Sequence, residues 1–280
     1  MIKRAILFLS ATMLIGCDEQ PAEATVVKKP EVNLSADQVR DFKSAAKVFD
    51  ALPTPIEMAE IIKRAKVIYD PKLLNDDKKI SQYVTSMEKS LNLGIYFADL
   101  SFTTVFDHPQ ESKNYLIAAQ KISTDLNIND VFNESTISRM EANQNKKDSL
   151  LQIISEAYLS TDNYLFENKM HSVAAAVMAG GWVEALYIAT QLKTENNDLT
   201  LIREKIAEQK PSLDNLVKLL GDCKDADLAQ IKTKLVSIQD MYSKMPVDST
   251  ITNAKRLIMS EDDFAKLKLT MLNIRTSIVH

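Results

Sequence analysis

The chain has 280 residues, 45% of them hydrophobic, 26% charged and 6% aromatic, a globular rather than a disordered composition. Five Gly and eight Pro exclude a collagen-like chain and leave too few turn residues for a loop-rich β-sandwich. The 34 basic and 38 acidic residues leave a net charge of −4. That argues against nucleic acid as a partner, because phosphate binding needs clustered excess cation.

Lys3 and Arg4 precede an apolar run from Ala5 to Met13, the charged and hydrophobic regions of a signal peptide. The run breaks at Gly16-Cys17-Asp18-Glu19, short of the about 20 apolar residues a membrane span needs. Leu14-Ile15-Gly16-Cys17 resembles the lipobox of bacterial lipoproteins. The resemblance implies that residues 1–16 are removed and that Cys17 is acylated on its sulfur and its new amino group. Cleavage would leave 32 basic against 38 acidic residues, a formal −6. So acidic a chain gains nothing from anionic lipid, and attachment must come from acyl chains, each worth about 0.8 kcal/mol per buried CH₂. With Cys17 acylated, Cys223 is the one remaining thiol, expected to be buried, and no intrachain disulfide can form.

Residues 17–34 carry Pro21 and Pro30 and no apolar period, and they read as a tether reaching roughly 55–60 Å. Residues 35–280 read as one all-α domain. Ser35 and Gln38 make a capping box before Val39, Phe42, Ala45, Ala46 and Phe49. Thr54-Pro55 starts a second helix, with Met58, Ile61, Ile62, Ala65 and Ile68 on one face, ending near Tyr69-Asp70-Pro71. From Asp77 to Phe106, Ile80, Val84, Met87, Leu91, Ile95, Ala98, Phe102 and Val105 form a stripe that predicts one long helix or two in line. Further helices are expected from Pro109 to about Leu126, and over 134–168 with a break at Asn143-Gln144-Asn145. The stretch 169–192, apolar nearly all round, predicts an enclosed central helix. Pro211 divides 199–209 from 212–220, with Gly221 as a stop, and helices over 227–244 and 261–279 complete the chain. No segment alternates with period two, so the predicted architecture is a multi-helix bundle or superhelix of antiparallel helices.

Chemistry-bearing motifs are sparse. No H-E-x-x-H, C-x-x-C, G-x-S-x-G or glycine-rich phosphate loop occurs, and neither metal nor cofactor is expected. Glu167 and His171, four apart, could share a helical face. Gly180-Gly181 inside an apolar helix costs roughly 1 kcal/mol per residue relative to Ala, which predicts close approach of another helix. Gly94-Ile95-Tyr96-Phe97-Ala98 faintly echoes Gly181-Trp182-Val183-Glu184-Ala185, too weakly to define a repeat.

Two carboxylates sit in apolar surroundings, Asp99 and Glu184. Asn92, Tyr96, Asp99 and Thr103 form one polar stripe, and Glu184, Tyr187 and Gln191 form another, with Trp182 beside them. If the stripes met, the two acids could work as an acid-base pair. The alternative is a structural hydrogen-bond network or the wet edge of each helix. Residues 91–106 and 178–190, LNLGIYFADLSFTTVF and MAGGWVEALYIAT, together with the lipobox, resemble an uncharacterised family of all-helical bacterial lipoproteins. That resemblance implies location and fold and carries no catalytic residue.

The expectation is therefore a lipid-anchored cell-envelope protein, non-enzymatic, serving as a binding or scaffold module. The rival is a hydrolase or lyase using Asp99 and Glu184. The outer membrane is the expected location, on its periplasmic or surface face, with Asp18 leaving the inner membrane open. The bilayer is a partner through the acyl chains, and an envelope protein is a candidate second.

Overall fold

The computed structural model describes residues 61–128, 134–144, 146–248 and 256–279, all within one compact unit, Ser35–His280. The expected signal segment, Cys17, the tether and the helix beginning at Ser35 lie outside the described residues, as does the start of the helix expected from Thr54. The described residues are all-α. Their helices are α1 (Ser86–Val105), α2 (Pro109–Asp125), α3 (Glu134–Ala142), α4 (Lys147–Glu167), α5 (His171–Gln191), α6 (Thr200–Ala207), α7 (Lys210–Asp222), α8 (Ala226–Ser243) and α9 (Glu261–Val279). Only two-residue strands accompany them: Val67–Ile68 pairs antiparallel with Lys193–Thr194, and Val247–Asp248 with Arg256–Leu257.

Several boundaries differ from the periodic reading, each for a local reason. The stripe beginning at Ile80 is not one helix. Thr85 and Glu88 form a capping box, with the Glu88 carboxylate accepting from the backbone N–H groups of Val84 and Thr85 and the Thr85 hydroxyl accepting from that of Glu88. Helix α1 therefore starts at Ser86, and Val84, expected in the core, is 79% exposed. Ile68 also leaves its expected helical face: the helical residues 61–64 end at Lys66, whose φ of 51° turns the chain into the strand Val67–Ile68.

With so few glycines, other residues supply the helix stops. Asp107, Asn127 and Lys169 adopt φ of 60–61° after α1, α2 and α4. In each case the following N–H reaches back to the carbonyl five residues earlier: His108 to Thr103, Ile128 to Ser123, Met170 to Leu165. These are Schellman closures on non-glycine residues. Gly221, expected as a stop, is instead an ordinary helical residue inside α7. The Lys169 turn also separates Glu167, at the end of α4, from His171, at the start of α5, so the two do not share a helical face. The His171 ring instead meets Phe166 edge-on.

Helix α5 is the central element. It is long and apolar enough to cross a membrane, yet it is mostly buried by its neighbours, as the core helix of a folded domain is. Helices α1 and α2 are antiparallel neighbours joined by Phe106–His108, as short links require. The innermost pair, α1 and α5, is not consecutive and runs parallel: Gly94 faces Gly181, and five residues on Asp99 meets Glu184. Parallel neighbours need a long crossover, which α2, α3 and α4 supply. Helix α9 runs antiparallel to α5, as the contacts Arg275 to Glu184 and Gln191 to Lys268 show. Cys223 caps α7 half-buried rather than buried.

Candidate functional site

Small residues set the spacing of the central pair. A Cβ on Gly94 would lie 1.9 Å from the Val177 carbonyl oxygen, and one on Gly180 would lie 1.9 Å from that of Leu91. The contact is reciprocal, because each glycine opposes the carbonyl three residues before the other. Gly181 is looser, its hypothetical Cβ lying 3.3 Å from the Gly94 oxygen. The two faintly similar sequence segments thus pack against each other, backbone on backbone.

Beyond this contact the helices have room for side chains, and there the two acids meet. Asp99 and Glu184 are each 0% exposed, and each carboxyl group acts on the ionisation of the other. Arg275 from α9 grips Glu184 bidentately, Nε donating to Oε2 at 3.0 Å and Nη2 to Oε1 at 3.1 Å. Its guanidinium lies 4.9 Å from the centre of the Tyr187 ring, and its side chain keeps 13% exposure. Asp99 Oδ2 accepts from the backbone N–H of Asn75 at 3.2 Å, while Oδ1 has no donor.

The proton count follows. Burial raises the Asp99 carboxyl well above the usual carboxylate range, and the negative charge of Glu184 raises it further. Arg275 and the Asn75 N–H pull it only part of the way back. Burial raises Glu184 too, but Arg275 offsets more of it. Glu184, gripped by Arg275, is accordingly the acid that ionises first, and Asp99 the one that keeps its proton to higher pH. A protonated Asp99 can donate as well as accept, which a carboxylate with an orphaned oxygen cannot.

The remaining predicted residues divide between this network and the apolar core. Asn92 is fully buried, its amide donating to the carbonyls of Glu88 and Ile278 and accepting from Asn75 Nδ2 at 3.3 Å. The Tyr96 hydroxyl donates to the Asp76 carbonyl at 2.8 Å. Thr103 continues the stripe, turned toward the Ser112 hydroxyl of α2. Tyr187 stacks under Arg275, whereas Trp182 is packed in the apolar core. Neither stripe is a wet edge: both are interior except at half-buried Gln191, and they meet at Asp99 and Glu184.

Sequence reasoning missed Arg275, Asn75, Tyr83 and Tyr115. Asn75 is the hub: its Nδ2 also donates to the Tyr83 hydroxyl at 2.9 Å, and its carbonyl accepts from the Tyr115 hydroxyl at 2.9 Å. Arg275 left a readable trace, four residues after Met271 and three before Ile278 on the buried face of α9. Asn75 lies in irregular chain and left none. No group of three or more His, Cys, Asp or Glu that could hold a metal occurs among the described residues. Comparison with known proteins found no matching family, curated protein or solved structure.

Chemically, the arrangement saturates its acids. The Glu184 carboxylate is held on both oxygens by two donors along one edge of a guanidinium, and it is fully enclosed.

Proposed function

We propose that this chain is a lipid-anchored cell-envelope lipoprotein whose helical domain is a non-enzymatic binding or scaffold module. The anchor rests on the charged, apolar and lipobox segments ending at Cys17, and the outer membrane, with an envelope protein as partner, remains the reading of location. The resemblance to all-helical bacterial lipoproteins belongs to the same proposal. The observation that carries the non-enzymatic part is the bidentate Arg275–Glu184 pair, enclosed with Asp99 at 0% exposure. A hydrolase or lyase would need at least one of these acids open to substrate.

The test has two arms. Cys17→Ser should abolish incorporation of labelled palmitate and move the protein from the membrane to the soluble fraction. Retention on membranes after a high-salt wash would refute the anchor. Asp99→Asn preserves the shape and the hydrogen bonds of the neutral acid, so it should restore fully whatever phenotype deletion of the chain produces. A folded Asp99→Asn protein that fails to do so even at a pH where Asp99 itself keeps its proton, so that the strap is closed in both proteins, would revive the catalytic pair.

A further inference from the structure

Residues 69–83 form a strap of two short 3₁₀ turns, Pro71–Leu73 and Lys79–Gln82, laid against the acid pair. Side chains of the helices hold it: Tyr115 to the Asn75 carbonyl, Tyr96 to the Asp76 carbonyl, Asn92 to the Asn75 amide, and Asp99 to the Asn75 N–H. At its start the Tyr69 hydroxyl donates to Glu111, and the Tyr69 ring stacks on His108.

We propose that the Asp99–Glu184 pair is a proton-operated latch for this strap: the shared proton keeps residues 69–83 down, and its loss releases them. With the proton in place the enclosed site is neutral overall, and Asp99 is a donor as well as the acceptor for the Asn75 N–H. Without it, two carboxylates face one guanidinium, and Oδ1 of Asp99 has no donor within reach. An ionised Asp99 then needs water. Parting α1 from α5 would break the interlocked backbones at Gly94 and Gly180, whereas lifting the strap breaks side-chain hydrogen bonds and withdraws only Leu74, Ile80 and Tyr83 from the core, uncovering Tyr96 and Tyr115.

Among the described residues, no other group facing Asp99 competes for the role. Glu184 from α5 and Arg275 from α9 are its charged neighbours. The phenols around it are Tyr96 on α1, Tyr115 on α2, Tyr187 on α5, and Tyr69 and Tyr83 on the strap. All are raised above their ordinary value, with burial the largest cause, and stay neutral below about pH 10. Farther out, Asp77 and Glu111 face Tyr115, and Asp70 faces Tyr187.

The sign follows from linkage. The closed strap binds one proton more than the open one between the ordinary Asp value of 3.8 and the raised value of the closed site. Over that window each pH unit should increase the opening equilibrium about tenfold, levelling off above it.

Amide hydrogen exchange of the full chain in detergent micelles tests this from about pH 4.5 to about pH 8.5, with rates divided by intrinsic peptide rates. Protection of the Asn75 amide should fall with rising pH, by up to about tenfold per unit, while that of Leu235 and Ile238 in α8 holds. In Asp99→Asn, whose side chain still accepts from Asn75 and donates toward Glu184, strap protection should not depend on pH. Flat wild-type protection, an equal loss in α8, or the same loss in Asp99→Asn would overturn the latch. If Asp99→Asn does not fold, the wild-type contrast between strap and α8 decides alone.

Discussion

Replacing Gly180 by alanine adds one methyl group where the backbones of α1 and α5 touch. In an exposed helix interior the change would stabilise by about 1 kcal/mol through propensity alone. Here the new Cβ would sit 1.9 Å from the Leu91 carbonyl oxygen, against an ordinary contact beginning at 3.4 Å, so the backbones must part by about 1.5 Å. The obstructing atom belongs to a helix interior and cannot rotate away. Overpacking a core typically costs about 1–3 kcal/mol, sometimes more. Parting α1 from α5 also draws Asp99 away from Glu184, so the upper end applies. Net of the propensity gain, we expect a loss of about 2–3 kcal/mol, or roughly 5–10 °C in Tm for a domain of this size. Gly181→Ala is the internal control: its Cβ would meet the Gly94 oxygen at 3.3 Å and the Tyr158 hydroxyl at 3.6 Å, needing a shift of a few tenths of an ångström. It should stay within about 1 kcal/mol of wild type. Urea unfolding followed by far-ultraviolet circular dichroism measures both. A Gly180→Ala protein as stable as Gly181→Ala would refute the backbone-contact argument.

The Arg275–Glu184 pair should show strong coupling. Arg275→Met leaves an enclosed carboxylate without its cation, at a cost of about 3 kcal/mol, the low end for buried pairs because Arg275 is 13% exposed. The double variant Arg275→Met/Glu184→Gln should recover about half of that, and additive single effects in the cycle would show that the two side chains do not interact. Global stability should fall as pH rises from the ordinary Asp value of 3.8 toward the raised value, by up to about 1.4 kcal/mol per unit, because the folded chain keeps a proton that the unfolded chain releases. Asp99→Asn should lack that slope, and parallel pH profiles for the two proteins would contradict a neutral Asp99.

The helices were legible because their information is local. Apolar spacing placed α2, α5, α8 and α9 within a residue or two, and the Gly180-Gly181 pair announced a close helix contact. What periodicity could not convey was where a helix is cut by hydrogen bonding rather than by composition. Thr85 and Glu88 stop the chain from continuing an apolar stripe that began at Ile80, and Asp107 and Lys169 take the left-handed turns usually left to glycine. The polar stripes were visible, but their fate was not. A stripe on one helix reads alike whether it faces water or another stripe, and only packing α1 parallel to α5 makes Asp99 face Glu184. Arg275 and Asn75 come from elements far away in sequence, so no spacing rule could associate them with either acid.

The glycines and the acids belong to one construction. Backbones in contact leave no space between α1 and α5 at Gly94 and Gly180, so Asp99 and Glu184, farther along the same interface, occupy the room that opens beyond the contact. An acid there cannot be satisfied by the helices themselves, whose backbone donors are used internally. Beyond the other acid, its partners come from the flanks: Arg275 from α9 on one side, Asn75 from the strap on the other. Each acid thereby ties one peripheral element to the core. The strap and α9, both rich in exposed charge, are held less by apolar burial than a helix such as α5, and the enclosed charges fix their positions. A catalytic pair would reverse that logic, holding its acids open and spending its neighbours on substrate.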